Sequence, residues 1–383
     1  MLTINGKYNF AHVMVDEIDE TTREQIETFL NCPVFKGTQI RIMADTHAGA
    51  GAVIGFTATL GDRIIPNVVG VDIGCGIEAY RLGKINIDFQ ELDTFIRNNI
   101  PSGFSVREKP AKTANKDMEF FIRIVNSICE KINLDFNRVH LSLGTLGGGN
   151  HFIEIDKDEN EVSWLLIHSG SRNFGLKVAN FHQKKAVELM KTFMIDSMKD
   201  LEFLPMEFGG REYLSDMEIA QKYAVLNRHI IAKTIIEEYF GRHGGPERIE
   251  DVESVKSIHN YISMKEKIIR KGAISAQEGE MVIIPLNMRD GSIIARGKGS
   301  KKWNNSAPHG AGRIMGRKEA HRKLKLEDFQ KTMEGIWTSC ISEKTLDEAP
   351  MAYKSVKLIL DSIGETVEIV SLIKPVYNFK ATD

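Results

Sequence analysis

Asp72 and Cys75 lie three positions apart in the segment Gly70-Val-Asp-Ile-Gly-Cys-Gly76. A carboxylate and a thiol at such a turn can coordinate one divalent metal, and flanking glycines let the backbone come close to a ligand. The preceding stretch, Ile64 to Gly70, reads as strand-like. The same text suits a tight turn whose cysteine is a small buried hydrophobe. Taken alone, the segment leaves both readings open.

Five more stretches concentrate unusual chemistry. Asp45-Thr-His47-Ala-Gly49-Ala-Gly51 comes first. In Leu143-Gly-Thr-Leu-Gly-Gly-Gly-Asn150-His151-Phe152-Ile153-Glu154, successive glycines form a backbone that can wrap a phosphate or nucleotide with N–H groups. Its spacing matches neither the dinucleotide fingerprint nor the P-loop. Close behind, Trp164-Leu-Leu-Ile-His168-Ser-Gly-Ser-Arg172 ends an apolar strand in a histidine. The last two are Ser257-Ile-His259-Asn260-Tyr261 and Ser306-Ala-Pro-His309-Gly310-Ala311-Gly312-Arg313.

Any one of the 11 histidines is more often a surface or satisfied core residue than a ligand. His47, His151, His168, His259 and His309 differ from the others by sitting in or beside Gly/Ser/Asn-rich breaks. Asp72, Cys75, His151, His168 and His259 together offer oxygen, sulfur and nitrogen donors. Such a set suits manganese, zinc, iron or cobalt better than magnesium or calcium. Five ligands exceed one closed zinc site and suit two neighbouring metals bridged by the Cys75 thiolate. Two-metal centres commonly serve phosphoryl chemistry.

These segments need elements to hold them. Helical periodicity covers 17–30, 86–99, 114–135, 175–200, 215–240 and, more briefly, 250–268; a basic helix is expected near 311–323 and another at 353–360. Strands are expected within 38–82, at 139–143, 152–155, 162–168, 272–274, 281–285 and 292–297, and finally at 367–374. The irregular alternation predicts an α+β fold: a single large domain, residues 1–383, with mixed sheets around one deep metal and nucleotide cleft. Apolar content of 42% and charged content of 27% are those of a globular protein. With no run of 18 apolar residues and no N-terminal leader pattern, the expectation is a cytoplasmic protein without a membrane partner. Four scattered cysteines make no disulfide framework. A net charge of −2 argues against wholesale polyanion binding, although 296–325 is locally basic and suits phosphates. A solvated helix face is the plainer account of 317–325.

Val69 to Gly76, Leu143 to Glu154, His168-Ser-Gly-Ser-Arg172 and His309-Gly-Ala-Gly-Arg313 resemble, in order, the motif series of the RtcB family of RNA-splicing ligases. The likeness runs from about residue 40 to Lys380. It implies an enzyme that joins an RNA 2′,3′-cyclic phosphate or 3′-phosphate end to a 5′-hydroxyl end, using GTP and two manganese ions. The sequence leaves the oligomeric state open, with a monomer as the expectation. By position, Asp72, Cys75 and His151 resemble ligands of one metal, and Cys75, His168 and His259 ligands of the other. His309 matches the histidine that becomes guanylylated. Asn150, His151, Phe152, Ile153, Glu154, His259, Asn260, Pro285, Leu286, Asn287, Met288, Ser292, His309, Gly310, Ala311, Gly312 and Lys380 match guanylate-contacting positions. Arg172 and Arg313 are candidate clamps for RNA phosphates, or else structural salt-bridge partners. Where the family pattern reads Pro-Gly-Ser-Met, this chain has Pro285-Leu-Asn-Met288, which bears on guanine selectivity and suggests a divergent branch devoted to RNA repair. Two other readings share the ligands: a dinuclear phosphoesterase acting on cyclic phosphates, and a catalytically silent RNA-binding paralogue.

Overall fold

The computed structural model describes residues 1–111 and 116–381, so the start of the helix expected over 114–135 lies outside the described residues. The chain is α+β. One mixed sheet runs Leu2–Asn5, Phe10–Val13, Ile40–His47, Ile54–Thr59, Ile268–Lys271, Asn260–Ser263. A second runs Ser254–Ile258, Gly76–Gly83, Ser163–Ser169, Phe152–Lys157, Val367–Lys380, Gly291–Gly297, Met281–Asn287. Its two ends approach each other, Ile283 N donating to Ser257 Oγ at 2.9 Å, so this sheet curls towards a barrel.

Strand Ser163–Ser169 explains the curl. Every residue of it is buried, and such a near-continuous apolar run fits a strand covered on both faces. On one face Leu165 and Ile167 join Ile153 and Ile155 beneath Ile231 and Ile235 of helix Arg211–Glu238. On the other, Leu166 joins Ile77, Phe152, Ile283, Ile294 and Ile373 inside the curl. Side chains alternate along a strand, so His168 shares the inner face with Leu166. Register places Ile77 and Phe152 on either side of His168, and Lys380 opposite Phe152. The same end of the barrel therefore collects His168, Phe152 and Lys380.

Two buried polar residues of helix Arg211–Glu238 tie down the glycine loops. Asn227 Oδ1 accepts from Gly144 N at 2.8 Å and Thr145 N at 3.1 Å, while Nδ2 donates to Thr145 O, Ser169 Oγ and Gly170 O. Arg228 donates to Gly74 O at 2.9 Å and Ser169 O at 2.8 Å, and pairs with Glu78 at 3.4 Å. The loops carrying Cys75, His151 and His168 are thus fixed from behind by one helix.

Three local expectations fail for identifiable reasons. Val139–Leu143 was expected as a strand, but helix Phe136–Leu141 covers most of it because Asp135 caps the turn, its carboxylate accepting from Asn137 N at 2.9 Å. Residues 250–268 were expected as a helix and instead form strands Ser254–Ile258 and Asn260–Ser263. There Val255 and Ser257 are buried around exposed Lys256, a two-residue period. The stretch before Asp72 is a strand only at Arg63–Ile64; Pro66 then opens a single helical turn, Pro66–Val69. The basic helix begins only at Arg317, leaving 311–316 as loop.

Replacing Asn227 with leucine leaves buried amides and carbonyls of two glycine loops without partners. The expected cost is about 3 kcal/mol, read as a lower urea midpoint for Asn227→Leu.

Candidate active site

The strand ends converge on a cavity of about 700 Å³. Asp72, Cys75, Asn150, Phe152, Glu154, His168, His259, Asn260, Pro285 to Met288, His309 to Gly312 and Lys380 all line it. Three candidate residues do not. His151 stands behind Cys75, Ile153 packs in the core under helix Arg211–Glu238, and Ser292 is buried with its hydroxyl unpartnered.

At one end, Cys75, His151 and His168 present Sγ and ring nitrogens that all lie within 4.8 Å of one another. Cys75 Sγ is 3.2 Å from His168 Nε2 and 3.5 Å from His151 Nε2, and His151 Nε2 is 3.1 Å from Asp72 Oδ2. His259 adjoins this group, its ring 5.3 Å from that of His168 and 4.7 Å from that of His309. Backbone carbonyls set the ring orientations. His151 Nδ1 lies 3.0 Å from Leu146 O and His168 Nδ1 3.1 Å from Asn150 O, which turns Nε2 of both rings towards Cys75. Gly170 is required here, because a Cβ would stand 2.1 Å from Asp72 Oδ1.

The electrostatics match a cation site. Burial pushes His168 and His259 well below the ordinary histidine range, so both rings are neutral. Burial and the Asp72 charge push the Cys75 thiol well up. Burial is the largest influence on Asp72 and opposes its charge, but the hydrogen bond and charge of His151, with Cys75 and His168, together outweigh it and hold Asp72 at about 2. Soft sulfur, neutral imidazoles and one carboxylate form a donor set that fits a transition metal.

Beside this group, His309 Nδ1 is 2.6 Å from Asp45 Oδ2, and His309 N donates to the same oxygen at 3.1 Å. A carboxylate only accepts, so Nδ1 carries the hydrogen and Nε2 keeps a lone pair. Asp45 is fully buried, with Lys354 bound to the carbonyls of Ala44 and Thr46 on either side. Gly312 has φ of +74° and packs so tightly on Asp45 that a Cβ would lie 2.1 Å from its carbonyl oxygen. His47 also lines the cavity, and burial lowers it to about 4.

The wall that continues from Phe152 is polar and charged. Lys380 Nζ lies 3.1 Å from Glu348 Oε2 and 5.4 Å from the Phe152 ring centre. Glu348 also takes Arg313 at 3.3 Å and the Tyr353 hydroxyl at 2.7 Å. Burial would raise Glu348, but Lys380, Arg317 and Arg313 together hold it at about 2. Arg313 thus sits in an ion pair, and Arg172 binds Thr145 Oγ1 at 3.1 Å and Gly103 O at 3.0 Å. Leu286 is buried, and Asn287 spends its side chain on its own turn, with Oδ1 accepting from Arg289 N and Asp290 N. Along helix Arg317–Lys323, Arg317 and His321 reach Asp347, and Lys323 reaches Glu319.

Sequence reasoning gave no role to Asp45, Glu348 or Tyr353. Asp45 stood in a segment already notable for His47, whereas Glu348 and Tyr353 carry no local signal. Among the described residues, no helix is long and apolar enough to cross a membrane.

The chain matches the family described as tRNA-splicing ligase RtcB over residues 25–381. It is 30% identical to the RNA-splicing ligase RtcB of Escherichia coli K12 across 94% of both chains. It is 27% identical to the tRNA-splicing ligase RtcB of Thermococcus kodakarensis, across 87% of this chain and 86% of that one. With motifs, cavity and match along nearly its whole length in agreement, the chain belongs to the tRNA-splicing ligase RtcB family.

Proposed function

We propose that this protein is an RNA ligase joining 3′-phosphate or 2′,3′-cyclic phosphate ends to 5′-hydroxyl ends through a GMP adduct of His309. The observation that carries the reading is the His309–Asp45 pair at 2.6 Å, opening on the same cavity as Cys75, His168 and His259. Asp72, Cys75 and His151 would hold one manganese ion and Cys75, His168 and His259 a second. Such ions offset phosphate charge during transfer.

His309 Nε2 attacks the α-phosphorus of GTP; an N–P bond forms as the P–O bond to pyrophosphate breaks. Asp45 keeps the ring oriented and stabilises the positive charge it acquires. An oxygen of the RNA 3′-phosphate then takes GMP from the ring, giving an activated end. The 5′-hydroxyl attacks that 3′-phosphorus, its proton is lost, GMP leaves and a 3′,5′-phosphodiester remains. A cyclic end first adds water to become a 3′-phosphate. Glu154, Phe152 and Lys380, which line the same cavity on the strands beside His168, would contact the nucleotide.

Incubation with α-labelled GTP and manganese is expected to leave label that survives denaturation in mild alkali and is lost in acid. Absence of label, with continued opening of 2′,3′-cyclic ends, would favour the phosphoesterase reading. His309→Ala is expected to take no label, and label persisting in it would place the nucleophile elsewhere. Asp45→Asn should slow labelling on the order of a hundredfold, because the wrong tautomer is then favoured; an unchanged rate would remove Asp45 from the mechanism. Cys75→Ala should abolish labelling while circular dichroism stays native, and normal labelling would refute the bridging thiolate.

A further inference from the structure

Behind Glu154, two residues along the same strand, lies a second acid. Asp156 is fully buried and Glu154 is 3% exposed, and alternation puts both on one face of strand Phe152–Lys157. Among the described residues, no amide, ammonium or other hydroxyl donor reaches either oxygen of Asp156. The carboxyl that neighbours it on this buried face is that of Glu154. Two carboxyls can share a hydrogen bond only when one of them is protonated. Glu154 has further support from strand Val367–Lys380, where Asn378 Nδ2 donates to Oε2. Lys380, two residues on, contributes a positive charge and is itself paired with Glu348. Asp156 has no cation of its own. Burying an isolated carboxylate is costly, so Asp156 is the member that keeps the proton. Burial pushes Asp156 well up, and pushes Glu154 up to about 7 against the pull of Asp156, Asn378 and Lys380.

We propose that Asp156 is a positioning residue for nucleotide recognition: its carboxyl hydroxyl donates to Glu154, which then presents a fixed carboxylate to a base edge bearing two adjacent N–H donors. This rests on the nucleotide reading above. Asn378 donates to Glu154 Oε2, a donating Asp156 would hold the same carboxyl from behind, and Glu154 lines the cavity. A guanine-type edge supplies a ring N–H beside an exocyclic amine and matches two carboxylate oxygens. An adenine-type edge sets an acceptor against the carboxylate and is rejected. Sharing one proton also spares the floor of the cavity a second buried negative charge.

The pH dependence has a definite sign. The competent pair holds one proton, and a second proton turns Glu154 into a donor. GTP binding therefore weakens as pH falls through the titration of Glu154. Removing the Asp156 donor lets burial push that titration to higher pH.

The test compares Asp156→Asn, whose amide still donates, with Asp156→Leu, which cannot. In guanylylation assays across mildly acid to mildly alkaline pH, Asp156→Leu is expected to raise KM for GTP about tenfold at neutral pH. kcat should change little, and the KM profile should shift to higher pH. Asp156→Asn should stay close to wild type. Inosine triphosphate, lacking the exocyclic amine, should show a smaller penalty in Asp156→Leu. Equal behaviour of the two variants, or loss of kcat without a shifted profile, overturns the proposal. Infrared spectra of nucleotide-free protein supply a second arm, because wild type should show a buried protonated-carboxyl stretch that Asp156→Asn lacks. Absence of that band in wild type overturns the shared proton even where GTP labelling succeeds. Failure of wild type to label refutes the nucleotide reading instead, and the infrared arm still decides the carboxyl pair, including where Asp156→Leu does not fold.

Discussion

Asn227 and Arg228 are neighbours on the buried face of a long helix, among mostly apolar buried side chains. A guanidinium and an amide in such a place must find partners, because each unpaired polar group there costs kilocalories. Their partners are the backbone groups of the glycine loops, which have the same need. Those loops belong to no ladder where they turn, so their amides and carbonyls would otherwise be orphaned in the interior. Helix and loops thus satisfy each other. The positions of Cys75, His151 and His168 follow from this exchange, since each projects from a loop the helix holds or from the strand beside it.

That brace has an electrostatic consequence. It holds the Cys75 group in a buried place, and burial leaves His168 and His259 neutral and favours the thiol form of Cys75. Neutral imidazoles are ready ligands. Cys75 must first lose its proton, so occupancy of the group is tied to pH in one direction: it is favoured as pH rises. His309 is managed differently. It has a buried carboxylate instead of a carbonyl at Nδ1, which would suit a ring that gains positive charge in the proposed transfer.

What could be read from the sequence is what is local. A histidine at the end of Trp164-Leu-Leu-Ile, or among Gly, Ser and Asn, declares a strand end and a backbone able to approach a ligand, and the motif order declared the family. The α+β class followed from alternating periods. Asn227 and Arg228 were invisible because they sit in unbroken helical text and act on loops far away in the chain. Glu348 and Asp156 were invisible for the same reason, since an acid shows its partner only after folding. The local errors have a common cause. Short segments such as 139–143 and 254–258 are too brief for periodicity to decide, and an Asp135 cap or a pairing strand decides instead.

The two ends of the cavity differ in how much change they can absorb. At the Cys75 end the backbone itself makes the fit: Gly170 lies against Asp72 and Gly312 against Asp45, where any side chain would collide. At the base end the fit is made by side chains on strands, which can be exchanged without moving the chain. The departure at 285–288 belongs to this second kind. Leu286 takes no positive φ and turns into the core, while Asn287 closes its own turn through Arg289 N, Asp290 N and Asp290 Oδ2. Neither substitution disturbs the strand pairing beyond one bulge. With Asn287 committed to its own turn, hydrogen bonding to the proposed base would fall to Glu154 and Lys380, which line the same cavity.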